Sequence, residues 1–169
     1  MYIETERLII KDLAPDMAED VFRNSLDEDI GRFVPDERYE SKEDALDAIE
    51  FIISRYDSRE GPFVYAVFTK DTHENTGYVQ MVPVSSGEWE IGYHIAQKFT
   101  HKGYATEAVR AFIPVMTEKL DTDKIIGVCL SENAASKRVL LKCGFVPVYE
   151  GVGEYQGEER DIFKGIYSV

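Results

Sequence analysis

The stretch Thr100-His101-Lys102-Gly103-Tyr104-Ala105-Thr106-Glu107-Ala108 constrains this chain more than any other. The residues before it, Glu88 to Ala96, read as a strand. Those after it, Ala105 to Leu120, carry apolar side chains at helical spacing. A strand that passes through a glycine-bearing loop into a helix leaves unpaired backbone N–H groups at the helix start. The positive end of the helix dipole lies behind them. Such an end is suited to an anion, phosphate above all. Lys124 to Leu130 follows as an apolar strand, so the helix is the crossover of a β-α-β unit.

The rest of the chain reads as a mixed α and β pattern. Leu8 to Ile10 form a strand, and Pro15 to Ser25 a helix with Met17, Val21 and Phe22 on one face. Ser41 is a good N-cap, with Asp44 in the first turn, and Ala45, Ile49, Ile52, Ile53 and Tyr56 recur at helical spacing behind it. Phe63 to Phe68, Gly77 to Val84 and Glu88 to Ala96 are expected to form an antiparallel meander. Pro114 removes one hydrogen bond from the middle of its helix and predicts a kink. Asn133 caps a helix ending at Cys143, and Gly144 takes the left-handed position after it. Val146 to Val152 and Asp161 to Tyr167 are the last strands, and Gly151 to Gly157 between them reads as a flexible, substrate-side loop. No repeat or linker interrupts residues 1–169, which are expected to form one domain.

The net charge is −13, from 19 bases and 32 acids. That disfavours nucleic acid, whose phosphates call for a basic surface. It suits a cationic partner, and it equally serves solubility. Acidic side chains concentrate at 36–60 and 150–161, whereas Lys98, His101 and Lys102 make the loop locally basic. No stretch reaches the roughly 18 consecutive apolar residues of a membrane span. Met1 to Arg7 shows no signal pattern, so a cytoplasmic location is expected. Cys129 and Cys143 have no metal-ligand spacing; both are expected to be buried and unreactive, and no metal is expected.

Three segments together carry a resemblance. They are Glu90-Ile91-Gly92-Tyr93, Lys102-Gly103-Tyr104-Ala105-Thr106-Glu107-Ala108, and Asn133-x-x-Ser136 running on to Gly144-Phe145. In this order and separation they resemble the GNAT N-acetyltransferases, and within them the ribosomal-protein N-terminal acetyltransferase branch. Thr100 stands where the commoner pattern has Gln or Arg, and His101 where it often has Gly. The resemblance implies a single α+β domain with a central, mostly antiparallel mixed sheet flanked by helices. It implies acetyl-CoA as co-substrate and acetyl transfer to a primary amine, a protein N-terminus or a small cationic molecule. A non-catalytic acyl-CoA-binding module on the same fold is the alternative. Self-association into a homodimer is left open.

Site residues follow. N–H groups of His101, Lys102, Gly103, Tyr104, Ala105 and Thr106 face the cofactor pyrophosphate. By resemblance, backbone near Ile95 and Ala96 pairs with the pantetheine arm and polarises the thioester carbonyl. Asn133 bonds the pantetheine amides, and Ser136 protonates the leaving thiolate. Both also fit plain helix capping. The amine needs a base. Glu90 is preferred for its resemblance to the family wording; His94 shares its strand parity, and Glu154 lies in the late connection. Trp89 and Tyr93 are expected to pack in the core, with a substrate pocket as the lesser option, and transfer is expected to be direct, with no cysteine acyl-enzyme.

Overall fold

The computed structural model describes residues 1–84 and 87–169. The strands are β1 (Tyr2–Glu4), β2 (Leu8–Asp12), β3 (Phe63–Thr69), β4 (Asn75–Pro83), β5 (Trp89–Ile95), β6 (Lys124–Leu130), β7 (Val146–Tyr155) and β8 (Glu158–Ser168). The helices are α1 (Ala18–Ser25), α2 (Glu28–Phe33), α3 (Lys42–Arg55), α4 (Tyr104–Leu120) and α5 (Ala134–Lys142). The strands form one sheet in the order β1-β2-β3-β4-β5-β6-β8-β7. Every pair is antiparallel except β5 and β6, which α4 joins as a parallel crossover.

Period-2 alternation assigns the two faces. Phe63, Tyr65, Val67, Val79, Met81, Ile91 and Ile95 point to one side and bury against Phe112, Ile113 and Met116 of α4. Ala66 points to the other side, where Ile49 and Ile52 of α3 and Met17 and Ala18 cover it. The caps form as their side chains dictate. Ser41 accepts from Asp44 N–H at 3.1 Å, and Asn133 accepts from Ser136 N–H at 3.0 Å. Pro114 lies inside α4, which runs unbroken from Tyr104 to Leu120.

Two expectations are corrected. Gly151 to Gly157 is not a loop. β7 continues to Tyr155, and only Gln156 and Gly157 turn the chain, with φ of 52° and 79°. Both central residues at positive φ make a type I′ hairpin, the turn whose twist matches that of the flanking strands. Three glycines suggested flexibility, but Gly153 is there for space. A Cβ on it would lie 2.6 Å from Ile162 Cδ1. The second correction adds elements. The short β1 and the short α2 lack enough residues for a period to show in the sequence.

Candidate active site

β5 and β6 are in register only at Trp89–Ile125 and Glu90–Ile126, after which the two strands part. Hydrogen bonds on the other side of β5 tell which groups face this split. Ala96 N–H donates to Thr76 C=O at 2.8 Å, and Val84 N–H to Glu88 C=O at 2.9 Å. Antiparallel pairing alternates, so Glu90, Gly92 and His94 also bond to β4, while the backbone of Ile91, Tyr93 and Ile95 points toward β6. Tyr93 and Ile95 lie beyond the last β6 partner. Of the two residues expected to supply a polarising N–H, Ile95 therefore faces the split, whereas the N–H of Ala96 is committed to Thr76.

A cleft of about 950 Å³ runs through this split. At one end it reaches Thr100 and Ala105. There the loop before α4 holds His101 at φ 62° and Gly103 at φ 80°. His101 thus takes the left-handed conformation with a side chain present, a conformation that glycine adopts without cost. Among the described residues, no N–H from His101 to Thr106 has a protein acceptor; the first such bond of the helix is Glu107 N–H to Gly103 C=O at 3.1 Å. Six consecutive free donors at a helix start fit a pyrophosphate. Lys98 is spent on Glu74 at 2.7 Å, while Lys102 Nζ lies over the rings of Phe99 and Tyr104.

Arg7 holds this loop in shape. Its Nη1 donates to Lys102 C=O at 2.9 Å and its Nε to Glu107 Oε2 at 2.7 Å, with the guanidinium over the Tyr104 ring. Thr5 Oγ1 and Arg7 N–H both donate to Glu107 Oε1. Partial burial of Glu107 opposes ionisation, but these donors and the Arg7 charge hold its carboxyl below the usual range. Nothing in the sequence pairs residues 7 and 107.

Ser136 stands at the middle of the cleft. Its Oγ lies 2.9 Å from Tyr93 Oη, which also donates to Ser136 C=O at 3.0 Å. Tyr93 is thus a core residue with a polar end in the cleft, and the sequence gives no sign of this bond. Burial first raises its phenol, and the Ser136 bond offsets only part of that, so Tyr93 is a neutral hydroxyl donor. Asn133 both caps α5 and lines the cleft. Cys129 and Cys143 are buried, and burial pushes both thiols up to about 11. Both thiols therefore stay protonated at neutral pH, which disfavours nucleophilic attack.

The far end is acidic. Seven carboxylates line the cleft against one lysine, Lys164. Burial pushes Glu90 up to about 7, and Lys164 opposes the rise. Glu37, missed in the sequence, is likewise pushed up to about 7 by burial, with Asp36 adding to the rise and a bond from Gln80 opposing it. Gln80 Nε2 donates to Glu37 Oε1 at 2.8 Å. Glu37 Oε2 is buried with no partner among the described residues. Glu154 is on the exposed rim, opposite Glu159 in the β7–β8 hairpin. His94 directs Nε2 to Asp27 at 3.2 Å, and the same carboxylate oxygen accepts Gln97 N–H at 2.7 Å. Burial lowers His94 despite Asp27, so it ties β5 to the start of α2 as a neutral ring. Of the acidic segments, Asp36, Glu37 and Glu154 reach the cleft; the acids of α3 do not.

Comparison with known proteins agrees with this geometry. A family model described as the acetyltransferase (GNAT) domain matches residues 7–146. An uncharacterized N-acetyltransferase of Bacillus subtilis, YoaA, is 28% identical over 145 residues, 85% of this chain and 81% of its own. Among solved structures, RimL, a ribosomal L7/L12 α-N-protein acetyltransferase in complex with coenzyme A, superposes with a TM-score of 0.85 at 17% identity. That match covers 100% of this chain and 98% of RimL. The microcin C7 self-immunity acetyltransferase MccE, solved with acetyl-CoA and AMP, gives a TM-score of 0.83 at 17% identity, covering 98% and 94%. With the family match spanning most of its length, and the split sheet and free-donor loop in place, the chain belongs to the GNAT acetyltransferases.

Proposed function

We propose that this acetyltransferase moves an acetyl group from acetyl-CoA directly to a cationic primary amine, without an acyl-enzyme. One observation carries the reading. A single cleft runs from Thr100 and Ala105, at the loop of free N–H groups, past the gap beside Tyr93 and Ile95 to a wall of carboxylates around Glu90. An anionic donor substrate and a cationic acceptor are each met by the opposite charge. RimL and MccE, whose names point to different acceptors, share the fold, so the acceptor class rests on the acidic wall and not on the likeness.

The roles follow from position. The loop His101 to Thr106 holds the pyrophosphate, and Tyr93 and Ile95 offer backbone groups along the pantetheine arm. Asn133, next to Ser136, offers its amide to the same arm. Glu90 takes the proton from the ammonium, a task suited to a carboxyl raised toward neutrality. The freed amine attacks the thioester carbonyl, and Ile95 N–H receives the developing oxyanion. Collapse forms the amide and breaks the C–S bond. Ser136 Oγ–H, backed by Tyr93 Oη, protonates the thiolate; the second proton of the acylated nitrogen restores Ser136, and the proton held by Glu90 leaves to water. Glu154 forms the outer rim of the acceptor wall.

The test is release of free CoA from acetyl-CoA with a panel of amines: peptides with free N-termini, polyamines and amino-acid amides. Turnover with one class and little with the others is expected. Acetyl-CoA binding with no turnover across the panel would reduce the chain to a binding module.

A further inference from the structure

On the α1–α3 side of the sheet, a second cavity of about 200 Å³ adjoins the acceptor cleft. Its walls are mostly apolar, from Leu13, Ile30, Ile49, Ile52 and Val64 among others. Glu37, Tyr78, Gln80 and His94 line both spaces, so these four side chains are the partition between them. The partition has a definite construction. Val64, Gln80 and Gly92 are cross-strand partners and share one face. Gly92 has no side chain because Gln80 lies over it; a Cβ there would be 2.6 Å from Gln80 Nε2. Gln80 is thereby free to hold Glu37. Glu90 stands one row further along the same face of β5, about 7 Å away at the rise of a strand.

Glu37 Oε2, a hydrogen-bond acceptor in these walls, is left without a partner among the described residues. A buried polar atom without a partner is destabilising, so it calls for a structural reason. An acceptor with a cationic amine and an adjacent apolar group would supply one. Its ammonium lies between Glu37 and Glu90, and its apolar group enters the cavity beyond Gln80. An apolar cavity of about 150 Å³ is enough to take benzene, so this one has room for a ring or a branched aliphatic group.

We propose that the cavity beneath α1 and α3 is the side-chain pocket of the acceptor, and that the preferred acceptor is a primary amine carrying a compact aromatic or branched apolar group next to the nitrogen. Glu37 is its charge partner. This rests on the amine-acetyltransferase reading and narrows its substrate.

The probes are glycinamide, L-alaninamide, L-leucinamide and L-phenylalaninamide, which share one α-amine and carboxamide. Free CoA release should give kcat/KM at least about tenfold higher for the leucine and phenylalanine amides than for alaninamide, a modest return for several buried carbons. Ala48 lines the cavity, and Ala48→Phe should fill it and erase that ratio. Ala48→Leu serves if the larger ring unfolds the chain. Glu37→Gln should raise KM for all four amides and keep their ranking. Phenylalaninamide should also raise the Tm of the CoA-loaded protein more than glycinamide does, and Ala48→Phe should remove the difference. A flat ranking, or a preference that survives Ala48→Phe in a variant of wild-type Tm, overturns the pocket. Turnover of spermidine but of no amide overturns the pocket and leaves the acetyltransferase reading intact. No CoA release from any amine overturns that reading, and the Tm comparison then decides the pocket alone.

Discussion

At the loop end of the cleft, six free N–H groups come from six consecutive residues; at the acceptor end, Glu37, Gln80, Glu90 and Lys164 converge from four separate elements. The first end is built of backbone and depends on local conformation. The second is built of side chains and depends on the whole sheet being assembled. Backbone donors tolerate many side chains provided φ is right, so substitutions there act through shape. Each group at the acceptor end acts through its own chemistry, so a single isosteric change should remove a function without moving anything.

The largest effect tests the acceptor end. Glu90→Gln keeps the volume and removes the base, and kcat/KM should fall by roughly 10²–10⁴-fold near neutral pH. The defect should shrink as pH rises and the amine loses its proton unaided. Wild-type activity should climb as Glu90 ionises through about 7. Stability should move the other way. Burial raises the folded carboxyl above its unfolded value, so the native chain holds a proton that the unfolded chain has released. Stability attributable to Glu90 is then lost as pH rises from the ordinary carboxylate range to about 7. Glu90→Gln should accordingly raise Tm at pH 8 and leave it near wild type at pH 4. An equal loss of activity at every pH, with no pH-dependent gain in Tm, would assign Glu90 to packing.

A smaller effect tests the loop end. Gly103→Val places a β-branched side chain at φ 80°, beside the Arg7 guanidinium 3.6 Å from the added Cβ. CoA affinity, read by calorimetry, should fall at least about tenfold, while the pH profile of any remaining turnover should stay as in the wild type. A changed pH profile with unchanged CoA affinity would erase the distinction between the two ends.

The smallest effect sharpens the comparison. His101→Gly relieves a side chain at φ 62°, against some gain in unfolded-chain entropy. Tm should rise by about 1–3 °C, and CoA affinity should stay within about threefold. A large loss of affinity would show that the imidazole itself contacts the cofactor.

The same contrast explains what the sequence made legible. The loop, α4 and α5 follow from near neighbours: Gly103 for the turn, Asn133 for the cap, and apolar residues at helical spacing. The meander and the β-α-β unit follow equally from alternation and length. Glu37 lies in a short 3₁₀ turn of polar residues that has no period to detect. It meets Gln80 only because Gly92 lies opposite, a relation between strands. Arg7 and Glu107 are 100 residues apart. The glycines of β7 misled because a glycine that avoids Ile162 reads the same in a sequence as one that bends a loop. The resemblance points to Ile95 and Ala96 together, and strand order alone does not say which of two neighbours donates to which side.

The parting of β5 and β6 has a mechanical side. Glu37 and Glu90 belong to the portion of the molecule that ends at β5, whereas Glu154 and Lys164 belong to the portion built on β6, β8 and β7. The acceptor cleft therefore has its two walls on opposite sides of a seam along which β5 and β6 register at two residue pairs. A substrate arm laid beside Tyr93 and Ile95 would lie between those walls as a shim, and the width offered to the second substrate would then become a property of the first.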